Sequence, residues 1–494
     1  MKQKLLYSLA LAAMLLFGAG AAKAQNDKGY EAKPLTGENA AMAQQVMEQQ
    51  LEQPDKAYAV FLKMFKKIKN DKDELINVGD FFLNKRVLPL AKKCADQLYT
   101  IAPTYIPGLM FEGRVALLRH DYGNAGMRFD EVLRIDSTNI SALKQNAHVY
   151  KNVNPAVAVE ALERIQKIEP GNYSVQKELG DINYNLDKYK AAVKNYKAFF
   201  AAVPQDTDHI YQATVENYVN SLYSTADFFK LADVSRQYQT MFPKSIALKR
   251  MTFFADVNNE DTEKAKESIK YLTEKMFPDS FYIYLDYEYA GTFTADQLND
   301  IPTAISYYEQ ALSLDPTKAT GYKDVANLYS RNKQAEKAIE RFSKYLSLAG
   351  DKVDSRDNLR LGEIYARASQ DETIAADKRN EYFDKAVSLF EQFNSAETEQ
   401  YQSSLMLARM FAGKGDIKSA EAGKARTYFE EVLKRCGTDD DVKSVRIQAL
   451  SYLVSYFIQN DMNAEARKVT TELLSVDPTN DLGKKASSFL NSVK

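Results

Sequence analysis

A spacing of about 34 residues recurs along this chain and limits the folds that it can adopt. Pro170 and Pro204 lie one such spacing apart, and Pro103 lies close to two spacings before Pro170. Each of these prolines follows an amphipathic segment, and proline ends a helix because its ring cannot continue the backbone hydrogen bonds. A period of about 20 to 50 residues is typical of repeat architectures, in which each unit buries its apolar face against the next. The 494 residues are therefore expected to form stacked helical units and not three or four separate globular domains.

A second pattern repeats inside each unit and indicates how its two helices pack. After Gly180, an alanine, an aromatic residue and a proline follow in a fixed order, namely Ala192, Tyr196 and Pro204. The same template with the same offsets, in full or nearly so, starts at other small residues, which are Gly79, Gly113, Ala326 and Val454. Small residues are expected where two antiparallel helices come closest, because no larger side chain fits between closely packed backbones.

This pattern resembles the signature of the tetratricopeptide repeat family, a helix-turn-helix with the same period. The resemblance implies an all-α fold, a right-handed α-solenoid of stacked helix-turn-helix repeats. About twelve repeats are predicted over residues 38–480, with degenerate units near residues 207 and 245, and a capping helix over residues 481–494. The chain has 13 prolines and 20 glycines, about half their usual frequencies, which favours long helices.

The N-terminus has the order of a bacterial-type secretory signal peptide. Lys2 and Lys4 precede an apolar run over residues 5–17, and Ala22 and Ala24 are the small residues of a cleavage site. A membrane anchor is the alternative, because the apolar and small residues extend over positions 5–22, the short limit for a transmembrane helix. We expect residues 1–24 to be cleaved as a signal peptide.

Cleavage would leave an exported chain with no stable membrane span. A periplasmic location is expected, with secretion or peripheral attachment to the envelope as alternatives. Residues 25–37 are polar and contain glycine and proline, so they are predicted to form a flexible linker. Cys94 is expected to be a small buried residue, and Cys436 a thiol near the surface, with an intermolecular disulfide through Cys436 as the alternative.

Three units carry extra residues between their two helices. The predicted insertions lie near residues 291–300, 369–378 and 413–423. Insertions confined to one kind of loop often mark a binding surface, although long surface loops also persist because they add little closure entropy.

The chain has no motif that points to catalysis, a metal or a cofactor. It lacks a Gly-rich phosphate loop, a paired Cys-x-x-Cys and a His-Glu-x-x-His, and its three histidines lie far apart. Lysine and arginine number 65 against 67 acidic residues, which argues against nucleic acid as a partner. We therefore expect neither an enzyme nor a cofactor.

The family resemblance places first helices on a concave surface that takes up extended peptides. Its spacing points to seven candidate partner-binding residues, which are Arg114, Lys144, His148, Lys177, Lys323, Asn327 and Arg331. Lys323 and Asn327 resemble half of a clamp for a C-terminal carboxylate, but the following units do not complete it. The alternative for all seven is a set of solvated helix side chains. Tyrosines also alternate over residues 282–289, and some of these rings are expected to face the groove or the insertion that follows, with partial burial in a wide helix interface as the alternative.

These features favour a non-enzymatic exported scaffold or adaptor. Its partner would be another cell-envelope protein, or an extended peptide segment bound in the groove of the solenoid. The alternative is an accessory protein of glycan or nutrient uptake, and the absence of tryptophan counts against a site that stacks sugars. The sequence indicates neither the identity of the partner nor the oligomeric state.

Overall fold

The structure, a computed structural model, describes residues 29–493. The predicted signal peptide and the first residues of the predicted linker lie outside the described part. All regular elements between residues 29 and 493 are helical, as the all-α prediction requires. The chain divides into two compact units, one up to Met251 and one from Thr252, and each is described by itself.

The first unit is built from helical hairpins in which each helix packs against its neighbours in sequence. Its helices are α1 (Gly37–Gln49), α2 (Pro54–Ile68), α3 (Lys72–Asn84), α4 (Leu88–Ile101), α5 (Ile106–Leu118), α6 (Tyr122–Ile135), α7 (Ile140–Tyr150), α8 (Pro155–Ile168), α9 (Tyr173–Asn185), α10 (Tyr189–Ala202), α11 (Gln212–Ser224) and α12 (Phe228–Gln239). The odd-numbered helices are the first members of the hairpins, and α3 touches α5, as α9 touches α11.

Helix α13 (Ile246–Asn258) contains the point at which the chain divides. The second unit continues with hairpins of the same kind. Its helices are α14 (Thr262–Ser268), α15 (Lys270–Thr273), α16 (Tyr284–Asp296), α17 (Ile301–Leu314), α18 (Ala319–Arg331), α19 (Ala335–Ala349), α20 (Ser355–Ser369), α21 (Ala376–Ala396), α22 (Gln402–Ala412), α23 (Ala420–Arg435), α24 (Lys443–Gln459), α25 (Asn463–Val476) and a final helix α26 (Asp481–Ser492). The handedness of the array stays a prediction.

The glycines of the sequence template lie where the two helices of a hairpin come closest. A Cβ atom added at Gly113 in α5 would lie 2.5 Å from the ring of Phe129 in α6, and one at Gly180 would lie 2.6 Å from the ring of Tyr196. Both rings are fully buried. Since real Cβ atoms do not approach other atoms so closely, the aromatic residue of the template explains why a side chain is excluded at the glycine.

The turn inside the hairpins has a left-handed residue that the sequence did not reveal. Seven positions after the template's small residue, the backbone has φ between 55° and 61° at Arg86, His120, Asp187, Lys333 and Asp461. Glycine is the residue that adopts this region without strain. Since these five positions carry other residues, the turn cannot be predicted from the positions of glycines in the sequence.

All three predicted insertions are shorter in the structure than the sequence predicts. Residues 291–296 are helical and belong to α16, because Gly291 is itself the small residue that packs against Tyr308 of α17, at 2.5 Å from an added Cβ. The prediction of an insertion near 291–300 was therefore wrong. The extra residues of 369–378 form a short loop over 370–375, and the rest extend α20 and α21. The third segment is irregular over residues 413–419 and helical from Ala420.

Both cysteines are free and buried. Cys94 is fully buried in α4, and burial raises the pKa of its thiol to about 12. Cys436 is 8% exposed, so the prediction of a thiol near the surface was wrong. The end of α23 packs it against α24 instead, in the same apolar cluster as Leu453. Between residues 29 and 493, no helix is both long and apolar enough to cross a membrane.

The predicted flexible linker is also corrected by the structure. Its described part, residues 29–36, lies as an extended segment along the first helices of the first unit. Tyr30 is buried, and Ala32 and Leu35 pack against the apolar core. A polar, glycine-containing segment predicts flexibility when it is considered alone, but one buried aromatic side chain is enough to hold it in place.

Candidate functional site

The first helices of the first unit line an open cavity of about 880 Å³. Helix α5 contributes Met110 and Arg114, α7 contributes Lys144 and His148, and α9 contributes residues 174, 175 and 178. Three of the seven residues predicted from the sequence, Arg114, Lys144 and His148, therefore lie in one cavity.

The charged side chains in the wall of this cavity are mainly basic. Besides the three predicted residues, the turn residues Arg86 and His120 line it, and Glu178 is the one acidic lining residue within the described part of the chain. Burial raises the pKa of the Glu178 carboxyl above its usual value. An anionic group entering the cavity would be favoured by the surrounding cations.

His148 differs from its cationic neighbours in its protonation. The groove removes water from around its ring, and Lys151 adds a positive charge nearby, so its pKa is lowered from the usual value of 6.5. The imidazole is therefore neutral at pH 7 and offers both a donor and an acceptor to a ligand.

Lys177, the fourth predicted residue of this unit, lies on α9 but is paired within its own helix. Its Nζ donates to Oδ2 of Asp181 at 2.7 Å. Oδ1 of Asp181 accepts a hydrogen bond from the Tyr196 hydroxyl at 2.7 Å. Lys177 therefore belongs to a polar network between α9 and α10, beside the cavity.

Arg114 holds the extended N-terminal segment at one end of the cavity. Its Nη1 donates to Oδ1 of Asp80 at 2.9 Å and to the hydroxyl oxygen of Tyr30 at 2.6 Å. The Tyr30 hydroxyl in turn donates to Asp80 at 2.7 Å. Burial raises the pKa of Tyr30 far above its usual value, so the phenol stays protonated and keeps this bond. We call the set of Tyr30, Asp80 and Arg114 the tyrosine clasp.

The backbone of the segment is also bound. The amide N–H of Lys33 donates to Oδ1 of Asn77 on α3 at 2.7 Å. Gly29 lies against Met110 of α5 and Ser141 of α7. Residues 36 to 29 therefore cross α3, α5 and the edge of α7 in turn, and the segment reaches the cavity beside Met110 and Arg114. The sequence offered no signal for this arrangement, because Tyr30 and Asp80 are 50 residues apart.

The remaining three predicted residues lie in the second unit and are occupied by contacts within it. Lys323 of α18 donates to Oδ1 of Asp357 at 2.5 Å, and the hydroxyl of Tyr345 donates to its other oxygen at 2.6 Å. The side-chain oxygen of Asn327 accepts from Nε of Arg360 at 2.9 Å. Lys323 and Asn327 thus connect α18 to α20, which gives them a structural role between neighbouring hairpins.

Arg331, at the end of α18, lies at the edge of a second cavity. Its Nη1 is 3.9 Å from Oδ1 of Asp296, and both side chains are largely exposed. The cavity, of about 710 Å³, belongs to the second unit and is lined by Glu260, Glu288, Asp296 and Asp324. Its acidic wall is the opposite of the basic wall in the first unit, and sequence reasoning did not predict it.

Burial and the nearby Glu288 carboxylate raise the pKa of Asp324 to about 6.

Of the alternating tyrosines, Tyr289 lines this cavity, where it stacks on Phe254 at a centroid distance of 3.9 Å. Tyr282, Tyr284 and Tyr287 are buried. All three can be core because Tyr282 precedes the start of α16 and is not on its helical face.

Within residues 29–493, no group of three or more His, Cys, Asp or Glu side chains is arranged to hold a metal ion.

No protein-family model matches this chain, and no curated protein matches it. Solved structures do. The C-terminal part of a TPR repeat-containing protein from Cytophaga hutchinsonii is 20% identical, with a TM-score of 0.44, over 55% of this chain and 98% of that one. A tetratricopeptide repeat protein from Parabacteroides merdae is 14% identical, with a TM-score of 0.32, over 52% of this chain and 98% of that one.

A third structure, YrrB, is described as a TPR protein with an unusual peptide-binding site. It is 15% identical, with a TM-score of 0.31, over 45% of this chain and 97% of that one. All three likenesses are partial and distant. Solved tetratricopeptide repeat proteins are thus what this chain resembles, as the repeated template of its sequence predicts.

Proposed function

We propose that this chain is an exported, non-enzymatic scaffold that binds an extended segment of another cell-envelope protein along the first helices of its first unit. The observation that supports it most directly is the groove itself. It already holds an extended segment, residues 29–36, through side-chain and backbone hydrogen bonds. Beyond that segment the groove continues as an open, basic cavity large enough for several more residues.

The chemistry of the cavity supports a polypeptide with acidic side chains as the partner. Arginine and lysine offer charge-assisted hydrogen bonds to carboxylates, and the neutral His148 offers a donor and an acceptor to backbone groups. The apolar residues Leu117, Leu118 and Leu162 also line the cavity, so it has the mixture of apolar surface and few polar groups that is typical of binding pockets.

Affinity purification from the envelope fraction tests the proposal when it is paired with a charge reversal. Lys144→Glu places an acid in the cavity wall, whereas Lys197→Glu makes the same change at an exposed position on α10. We expect the wild-type chain and Lys197→Glu to recover the same stoichiometric partner, and Lys144→Glu to lose it.

Recovery of the same proteins by all three chains would contradict the proposal. So would a thermal shift with an oligosaccharide that Lys144→Glu abolishes, since this would indicate a glycan in the cavity. Export is tested separately, because N-terminal sequencing of the mature protein from the periplasmic fraction should begin at Gln25. A chain recovered from the cytoplasm with an intact N-terminus would refute that part.

A further inference from the structure

The position of residues 29–36 defines a specific recognition site in the groove. Tyr30 is 5% exposed, whereas the other side chains of the segment are exposed or only half-buried. Its ring meets Phe111 edge-on at a centroid distance of 5.5 Å, and its hydroxyl enters the tyrosine clasp. The segment is therefore held mainly by one side chain, and the groove selects an aromatic residue with a hydroxyl group.

The residue before the tyrosine is also selected. Gly29 has φ of +69°, and a Cβ atom added there would lie 2.6 Å from Cε of Met110 and 3.1 Å from Cβ of Ser141. The backbone conformation favours glycine, and a larger residue would require the flexible end of Met110 to move. The site therefore fits the pair glycine–tyrosine at a bend in a non-helical chain.

The end of the segment faces the basic cavity. Met110 contacts Gly29 and lines the cavity, and Arg114 both binds Tyr30 and lines it. Residues that precede a bound glycine–tyrosine pair would therefore enter the cavity that Arg86 and Lys144 also line, where acidic side chains are favoured.

The chain's own segment is suited to leave this site. It is joined to α1 through Gly37, which has φ of +59° and, within the described chain, has no atom within 4 Å of an added Cβ. Among residues 29–36 only Tyr30 is fully buried, and Ala32 and Leu35 are half-buried against the core, so release exposes chiefly the Tyr30 ring and the clasp. Because residues 29–36 are tethered to the site, they compete with a partner segment at a high effective concentration. The partner segment must therefore bind the groove more tightly than residues 29–36 to displace them.

We propose that the groove over α3 and α5 recognises an extended segment with acidic residues immediately before a glycine–tyrosine pair, and that residues 29–36 are an intramolecular occupant which such a partner displaces. This inference rests on the proposed function and specifies the chemistry of its partner. The tyrosine of the partner would replace Tyr30 between Asp80 and Arg114, and its acidic residues would enter the basic cavity.

A labelled peptide tests this with the full-length chain. The probe is the sequence of residues 29–36 preceded by two aspartates, and its binding is followed by fluorescence anisotropy. Tyr30→Ala frees the site, while Tyr211→Ala changes a tyrosine that is 58% exposed and serves as the matched control. Because burying the ring is worth about one to two orders of magnitude in affinity, we expect Tyr30→Ala to bind the probe at least about tenfold more tightly than wild type.

Two altered probes test the recognised chemistry. Replacing tyrosine by phenylalanine in the probe removes its bonds to the clasp, and we expect binding to Tyr30→Ala to weaken by roughly tenfold. Replacing the two aspartates by serine should weaken binding to Tyr30→Ala, and by less when that chain also carries Lys144→Glu.

Equal affinity of wild type and Tyr30→Ala for the probe would overturn the proposal, as would no binding to a Tyr30→Ala chain whose helical circular dichroism is unchanged. If the probe fails but an envelope protein is still lost on Lys144→Glu, only this inference falls. If both fail, the proposed function falls with it.

Discussion

A methyl group added at Gly180 measures how closely the hairpins of this chain are packed. The added Cβ would lie 2.6, 2.7 and 3.1 Å from three atoms of the Tyr196 ring. That ring cannot move aside freely, because it is fully buried and its hydroxyl donates to Asp181 at 2.7 Å. Overpacking of a core typically costs about 1 to 3 kcal/mol, and the constraint on this ring places the cost near the upper limit.

The substitution also has a favourable contribution. Alanine is a better helix former than glycine by about 1 kcal/mol. We therefore expect Gly180→Ala to lower the free energy of unfolding by about 2 kcal/mol. Gly123→Ala is the matched control, since no atom of the described chain lies within 4 Å of its added Cβ, and it should be neutral or stabilising by up to about 1 kcal/mol.

Urea unfolding followed by circular dichroism gives the comparison for the whole chain. Hydrogen exchange over α9 and α10 localises the effect, because each repeat contacts chiefly its neighbours and stability is local in such arrays. A Gly180→Ala chain as stable as the Gly123→Ala chain would refute the close-packing argument. In a Tyr196→Leu background the same methyl group should cost less than in the wild-type chain, since the smaller side chain makes room for it.

Three other substitutions probe strained or buried groups. Ala226 has φ of +56°, and Ala226→Gly should stabilise the chain by about 0.5 to 1 kcal/mol, because relief of strain exceeds the added chain entropy; urea unfolding would show no gain if the turn were unstrained. The pKa of Asp324 is raised to about 6 from 3.8, so the wild-type chain loses stability as the pH rises from 4 to 6. Asp324→Asn should remove this loss and raise the free energy of unfolding at pH 7 by about 1 to 2 kcal/mol. Equal unfolding curves of the two chains at pH 7 would contradict this expectation. Burial alone would raise the pKa of Asp357, but hydrogen bonds from Lys323 and Tyr345 outweigh burial and leave the pKa lowered. Asp357→Asn should therefore lower the free energy of unfolding by about 2 kcal/mol at pH 7, and the difference should vanish as the pH falls below that lowered pKa. Unchanged hydrogen-exchange rates in α18 and α20 at pH 7 would exclude this stabilising role of Asp357.

The repeat could be predicted from the sequence because its signals are local and periodic. Gly113 and Phe129 have the same separation as Gly180 and Tyr196, and the same contact follows in both hairpins. A change in this separation by one position hides the repeat. Gly291 and Tyr308 are one position farther apart. The sequence pattern therefore predicts an inserted loop where the end of α16 lies.

The candidate site was harder to predict because it depends on contacts between distant residues. Family spacing placed Arg114, Lys144 and His148 on the lining helices, but it could not show that Tyr30 binds one of them. It also could not show that Lys323 is occupied by Asp357, since a lysine on a first helix has the same spacing whether it faces a partner or a neighbouring repeat.

The left-handed residue between the helices of a hairpin has a consequence for how such an array diversifies. Its conformation is imposed by the hairpin and not by the residue, since arginine, histidine, aspartate, lysine and alanine all occupy it. A mutation at this position can therefore change the surface chemistry of a repeat while the backbone stays the same. Arg86 and His120 are two such residues, and both line the basic cavity. Related chains can acquire new ligand preferences by altering this corner of each hairpin, with the helices themselves left untouched.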